Sequence, residues 1–114
     1  MNTNQSAPLR RLRKGAQIAR TRREGARFSS RSLRAFACPS PEPGLRLAVT
    51  ASRRVGKAVQ RNRARRRLRA AFALSQQEMG ANMDVVVNAR AETLTAPWER
   101  LLGDARRVLG LQRQ

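Results

Sequence analysis

Polar and apolar residues alternate most clearly at Leu45, Leu47, Val49 and Ala51, separated by Arg46, Ala48 and Thr50. That period of two predicts a half-buried strand. After Gly56 the period changes. Ala64, Leu68, Ala71, Phe72 and Met79 fall on one face of a helix, at about 100° per residue. This predicts a helix from Lys57 to Met79, ended by Gly80, with Val59 off the stripe in an irregular first turn. Val85, Val86 and Val87 form a short β-branched run and predict a strand buried on both faces. Thr95, Ala96 and Pro97 open a last helix, in which Leu101, Leu102, Ala105, Val108 and Leu109 recur at helical spacing and Gly110 is the stop. Trp98 is expected to anchor that helix in the core.

Upstream the pattern is weaker. Leu9 to Glu24 predicts a short basic helix stopped by Gly25. Residues 26–38 predict one strand, apolar on one side and basic on the other, with Cys38 a small buried or edge residue at its end. The prolines Pro39, Pro41 and Pro43 remove donors and fix φ, so 39–44 is expected to be a hairpin loop. A short extra strand is possible near Arg53 to Val55. Residues 1–8 are expected to be disordered, and 9–114 to form a single domain. Helices packed on a small sheet, an α+β arrangement, satisfy the pattern most economically.

Composition narrows the chemistry. The 114 residues contain no His and one Cys, which excludes a Ser-His-Asp triad, a His-ligated metal and a disulfide framework. No stretch approaches the roughly 18 apolar residues of a membrane span. No apolar run follows the N-terminal basic residues, so a secretory signal is not expected and a cytoplasmic location is.

Charge narrows it further. The formal charge is +18, with 25 Lys+Arg against 7 Asp+Glu. Residues 1–23 hold seven cations and no acid, and residues 43–77 hold ten and no acid, whereas 78–114 hold five of each sign. A field so concentrated draws in polyanions. Arg outnumbers Lys 23 to 2. Guanidinium grips phosphate bidentately, although a compositional bias toward Arg would give the same ratio. Glu92, Glu99, Asp104 and neighbouring arginines are expected to form a mixed surface away from RNA.

The densest segment is Ser52 to Arg69, with nine cations in eighteen residues and no acid. On a helix Asn62, Arg66 and Arg69 align, with Arg63 beside them. This run resembles the signature of the bacterial ribonuclease P protein component, approximately Ser-Lys-Lys-x-Gly-Asn-Ala-Val-x-Arg-Asn-Arg-x-Lys-Arg-x-x-Arg. Ser52, Gly56, Ala58, Val59, Arg61, Asn62, Arg63, Arg66 and Arg69 match; Arg53, Arg54 and Arg65 stand for Lys, and Lys57 for Asn. Arg90, after the valine run, fits the same pattern.

The resemblance implies a small two-layer α+β sandwich, with about four strands in a mixed sheet, three helices and a left-handed β-α-β crossover. It implies a protein subunit beside a catalytic RNA that removes the 5′ leader of precursor tRNA. The Mg²⁺ would be held mainly by the RNA, with no catalytic residue and no metal ligand on the protein alone. The implied partners are the catalytic RNA subunit and precursor tRNA, with one protein per RNA and no membrane. Arg53, Arg54, Lys57, Arg61, Asn62, Arg63, Arg65, Arg66, Arg69 and Arg90 would face the catalytic RNA. Ile18, Arg22, Arg34 and Phe36 would line a cleft for the single-stranded leader, where Ile18 and Arg22 stand at positions the family fills with aromatics. Other readings are a different small RNA-binding protein such as a ribosomal protein, a self-sufficient nuclease, or a membrane-surface protein.

Overall fold

A computed structural model describes residues 9–111; the expected disorder of residues 1–8 lies outside the described residues. The valine run is the middle of a longer strand, β5 (Met83–Ala89), and it occupies the centre of the sheet. Its side chains alternate between two apolar clusters. Val85 and Val87 enter the larger cluster and Val86 the smaller one, all fully buried. β3 (Leu33–Pro39) runs antiparallel to β5 on one side, with Phe36 opposite Val86. β4 (Leu45–Thr50) runs parallel to β5 on the other, with Leu47 opposite Val85. β2 (Ala26–Ser29) and β1 (Leu9–Arg11) form the edges, giving the order β1-β4-β5-β3-β2 among the described residues.

Three α-helices accompany this sheet: α1 (Gly15–Glu24), α2 (Ala58–Met79) and α3 (Trp98–Gly110). α2 and α3 pack together on one face, where Ala64, Leu68, Ala71 and Phe72 of α2 and Leu101, Ala105, Val108 and Leu109 of α3 are buried. α1 lies on the other face, touching β3 and β5, above Leu12, Phe36, Ala48 and Val86, with Ile18 partly buried there. The α+β class is as expected. The sheet has five strands instead of about four, and α1 adds a partial third layer to the expected two.

Several local expectations are corrected. Leu9–Arg11 is extended, not helical, because Leu9, Arg10 and Arg11 pair in parallel with Leu45, Arg46 and Leu47 at the sheet edge. Residues 26–38 are two strands, not one. The Ser30 hydroxyl accepts from the Ser32 and Leu33 amides at 3.1 and 3.3 Å and donates to Asp104 Oδ2 at 2.7 Å, so a serine turn folds the chain back on itself. Residues 39–44 do not close a hairpin, since β5 lies between β3 and β4; they carry the chain past the end of that strand. Residues 53–55 form a 3-10 turn, not a strand, seeded by Ser52 Oγ accepting from Arg54 N at 3.3 Å. Another 3-10 turn spans Ala91–Thr93, and α3 begins only after Pro97. Asp104 is buried, not part of a mixed surface, and Trp98 is 38% exposed, so the interior leucines carry the anchoring of α3.

Geometry requires glycine at several positions, Gly80 and Gly25 among them. Gly80 ends α2 at φ 62°, a left-handed cap that glycine adopts without a Cβ penalty. Gly25 lies against β3. A Cβ there would come within 2.5 Å of the Thr21 carbonyl and 2.9 Å of the Ala37 amide nitrogen and carbonyl oxygen. Beyond Gly80 the Gln76 carboxamide closes the turn, donating to Ala81 O at 2.8 Å and accepting from Ala81 N at 3.0 Å.

Val59 is 78% exposed and Phe72 is fully buried on the same helix. Phe72→Ala should therefore destabilise by about 3–5 kcal/mol, whereas Val59→Ala should stay within about 0.5 kcal/mol. Urea unfolding midpoints of the free chain measure both.

Candidate nucleic-acid interface

The 3-10 turn and the start of α2 set the cationic run on a fixed frame. Val55 is buried, Gly56 turns the chain at φ 144°, and Lys57 N donates to Gln60 Oε1 at 2.7 Å. Arg61 Nη1 donates to the Gly56 carbonyl at 3.0 Å, bracing the helix start. Arg65 Nη2 donates to Asn62 Oδ1, which orients the carboxamide along the helix surface. Arg53, Arg54, Lys57, Arg63 and Arg66 are exposed, and none has an acid within ion-pair distance among the described residues. Arg90 Nη2 donates to Ser29 Oγ at 2.8 Å. The 3-10 turns at 53–55 and 91–93 are in contact, so Arg90 stands at the same end of the molecule as Arg53 and Arg54.

Arg67 lies in the same run and does something different. Its guanidinium donates to the Thr93 carbonyl at 2.5 Å and the Ala96 carbonyl at 2.8 Å. This ties α2 to the segment leading into α3. The signal was its place three residues after Ala64 and four before Ala71 on the packed side of the helix.

A groove of ≈440 Å³ opens between Arg11–Arg13, Ile18, the Leu47–Thr50 stretch of β4, and Arg69. Its floor is apolar and its walls are cationic. Arg69 belongs both to this groove and to the α2 face. Burial, then the charges of Arg11 and Arg65, push its guanidinium below the ordinary value; guanidinium still stays protonated. Arg11 and Arg13 were not among the expected site residues. Their alternation with buried Leu12 was the available signal.

Of the four expected leader residues, Ile18 lines this groove and Arg22, Arg34 and Phe36 do not. Phe36 is 6% exposed in the small cluster with Ile18, and the Arg34 guanidinium carbon sits 5.4 Å from the centre of its ring. Arg34 is thus the exposed surface of that stack. Arg22 is exposed on α1 and is not part of the groove lining. At the groove edge, Thr50 Oγ1 donates to Asn88 Oδ1 at 2.7 Å.

Among the described residues no group of three or more His, Cys, Asp or Glu side chains could hold a metal ion. No helix among them is long and apolar enough to cross a membrane.

A sequence profile of the family described as Ribonuclease P matches residues 7–111. The chain belongs to the ribonuclease P protein family. It is 41% identical over 100 residues to the ribonuclease P protein component of Chloroflexus aggregans, covering 87% of this chain and 74% of that protein. It is 38% identical over 96 residues to that of Kocuria rhizophila, covering 84% and 85%. The fold is similar to the ribonuclease P proteins of Staphylococcus aureus and Thermotoga maritima. The first has a TM-score of 0.73 at 24% identity, covering 89% of this chain and 93% of the other. The second has 0.73 at 20% identity, covering 87% and 94%. A ribonuclease P protein is one component of a ribonucleoprotein endoribonuclease of tRNA processing, so the chain has an RNA subunit as partner.

The two kinds of arginine on α2 separate by experiment. Arg67→Ala removes both donors to two backbone carbonyls and should lower stability by about 1–3 kcal/mol. Arg66→Ala should leave the stability within about 0.5 kcal/mol of the parent. Thermal unfolding of the free proteins distinguishes them.

Proposed function

We propose that the protein docks the exposed face of α2 on the catalytic RNA and guides the 5′ leader of precursor tRNA along the groove between α1 and β4. One protein sits on one RNA. The observation that carries this reading is the continuity of the two surfaces. Arg69 lies in both, so one acid-free cationic tract runs from Arg53 and Arg54, along Arg63 and Arg66, into the walls formed by Arg11 and Arg13.

Two folded RNAs repel each other. Guanidinium groups between them neutralise phosphates on both sides, and the released counterions favour the closed assembly. The phosphodiester is cut by the RNA. The protein brings no His, and the acids nearest the α2 tract in sequence, Glu42 and Glu78, bracket it without entering it, so no acid and base stand together as protein-based hydrolysis needs. The donor chemistry of this face does not fit Mg²⁺, which takes oxygen ligands, so any Mg²⁺ is held mainly by the RNA.

Arg34, stacked over Phe36, presents a planar cation at the leader side, and such planes stack on unpaired bases. Ile18 supports the same wall without an aromatic face of its own.

Adding the protein to a catalytic RNA at low Mg²⁺ should produce leader removal from precursor tRNA, and the paired substitution Arg63→Ala, Arg66→Ala should abolish the gain. With roughly six phosphates held, log affinity for the RNA against log salt should slope at about −4 to −5. A slope near −1, or leader cleavage by the protein with no RNA present, would defeat the reading. Arg34→Ala should weaken precursor binding several-fold, by an order-of-magnitude stacking argument, and leave mature tRNA binding unchanged.

A further inference from the structure

The face of the sheet under α1 carries one acid with no exposure at all, Asp84 on β5. It is the centre of a ladder of alternating charges. Arg46 of β4 grips both of its oxygens, Nε to Oδ1 at 2.7 Å and Nη2 to Oδ2 at 2.7 Å. Arg20 of α1 brings Nη2 to 3.8 Å from Oδ2 and donates to Cys38 Sγ at 3.8 Å. Beyond Arg46, Glu42 lies 3.8 Å from Arg46 Nη1 and 3.7 Å from Arg10 Nη1 of β1. The ladder therefore joins α1, through the two central strands, to β1.

Those end elements are the walls of the groove. β1 leads directly into Arg11–Arg13, and α1 carries Ile18. Both elements are cationic, although of their cations only Arg11, and Arg13 between them, line the groove itself. Arg13, Lys14, Arg20, Arg22 and Arg23 stand on or beside α1, and Arg10 and Arg11 on β1. Like charges on neighbouring elements repel; β1 is held against this by its pairing with β4 and the Leu12 amide donating to the Leu47 carbonyl, and α1 by the small cluster of Leu12, Ile18, Phe36, Ala48 and Val86. The buried Asp84 adds a charged restraint, on α1 directly through Arg20 and on β1 through Arg46, Glu42 and Arg10.

We propose that Asp84 is a positioning residue for the leader groove: through Arg20 it sets the height of α1, and through Arg46, Glu42 and Arg10 it sets β1. This inference rests on the reading of the groove given above. Asp84 touches no RNA; it acts through the arginines at the two ends of the ladder. Binding a polyanion between walls already held at the right separation avoids the cost of ordering them on contact.

The full-length chain tests this with two readouts. One is amide hydrogen exchange over residues 15–24 against 58–79. The other, after assembly with the catalytic RNA, is affinity for precursor tRNA against mature tRNA. In Asp84→Asn the α1 amides should exchange about tenfold faster or more while α2 is unchanged. Preference for precursor should fall about tenfold, with mature tRNA binding unaffected. Glu42→Gln removes the two pairs made by an exposed carboxylate, leaves the Asp84–Arg46 bond in place, and should lower the preference about twofold. The proposal is overturned if the preference survives once α1 is loosened, or if α1 and α2 lose protection together, which is the signature of plain fold support. Should Asp84→Asn not fold, Arg20→Gln breaks the α1 end alone and is read by the same two outcomes. A parent holoenzyme with no preference for precursor overturns the groove reading instead, and the exchange of α1 then decides whether the ladder holds that wall.

Discussion

The structure depends on a strand whose two sides are both dry. Val85 and Val87 fill the cluster beneath α2 and α3, and Val86 fills the cluster beneath α1. A strand of this kind must be central, since either edge would leave part of it wet. Once β5 holds the centre, β3 and β4 must flank it, and the proline-rich segment between them must pass the end of β5 instead of closing a tight turn. The two helix layers follow from the same alternation, because each side of β5 needs a cover.

A thin core beneath so many cations requires a division of labour among arginines. Arg46 neutralises a buried acid, Arg67 satisfies two backbone carbonyls, and Arg106 pairs with Glu78 between α2 and α3 at 2.9 Å. That last contact holds the Glu78 carboxyl below its ordinary range, chiefly through the hydrogen bond from Arg106. Arg63 and Arg66 have no such task. Guanidinium suits both roles because its planar array of donors matches carbonyls, carboxylates and phosphates alike. The cationic face is thus what remains after the fold has used the arginines it needs.

Much of this was legible in the residues. The period of α2 placed Ala64, Leu68, Ala71 and Phe72 in the core and left Asn62, Arg63 and Arg66 outside, as found. The ordered run from Ser52 to Arg69 carried the family. What escaped were features set by partners distant in the chain. Leu9–Arg11 is a strand only because β4 offers an edge to it. The break within 26–38 depends on one serine hydroxyl that also reaches Asp104 across the fold. Arg11 and Arg13 join the groove only when β1 has paired, and Asp84 is unremarkable in sequence until Arg20 and Arg46 converge on it. Periodicity reports a residue's own element, while long-range pairing is invisible to it.

The central place of β5 has a consequence for the order in which the chain is made. Residues 83–89 follow all four of the other strands and the whole of α2 in synthesis. Until they emerge, β4 has only the three residues of β1 as a sheet partner, and the apolar side of α2 has little to pack against. A long, strongly basic and incompletely folded segment is therefore exposed during translation, beside a ribosome that is itself largely RNA, and the sheet closes only once β5 has been made.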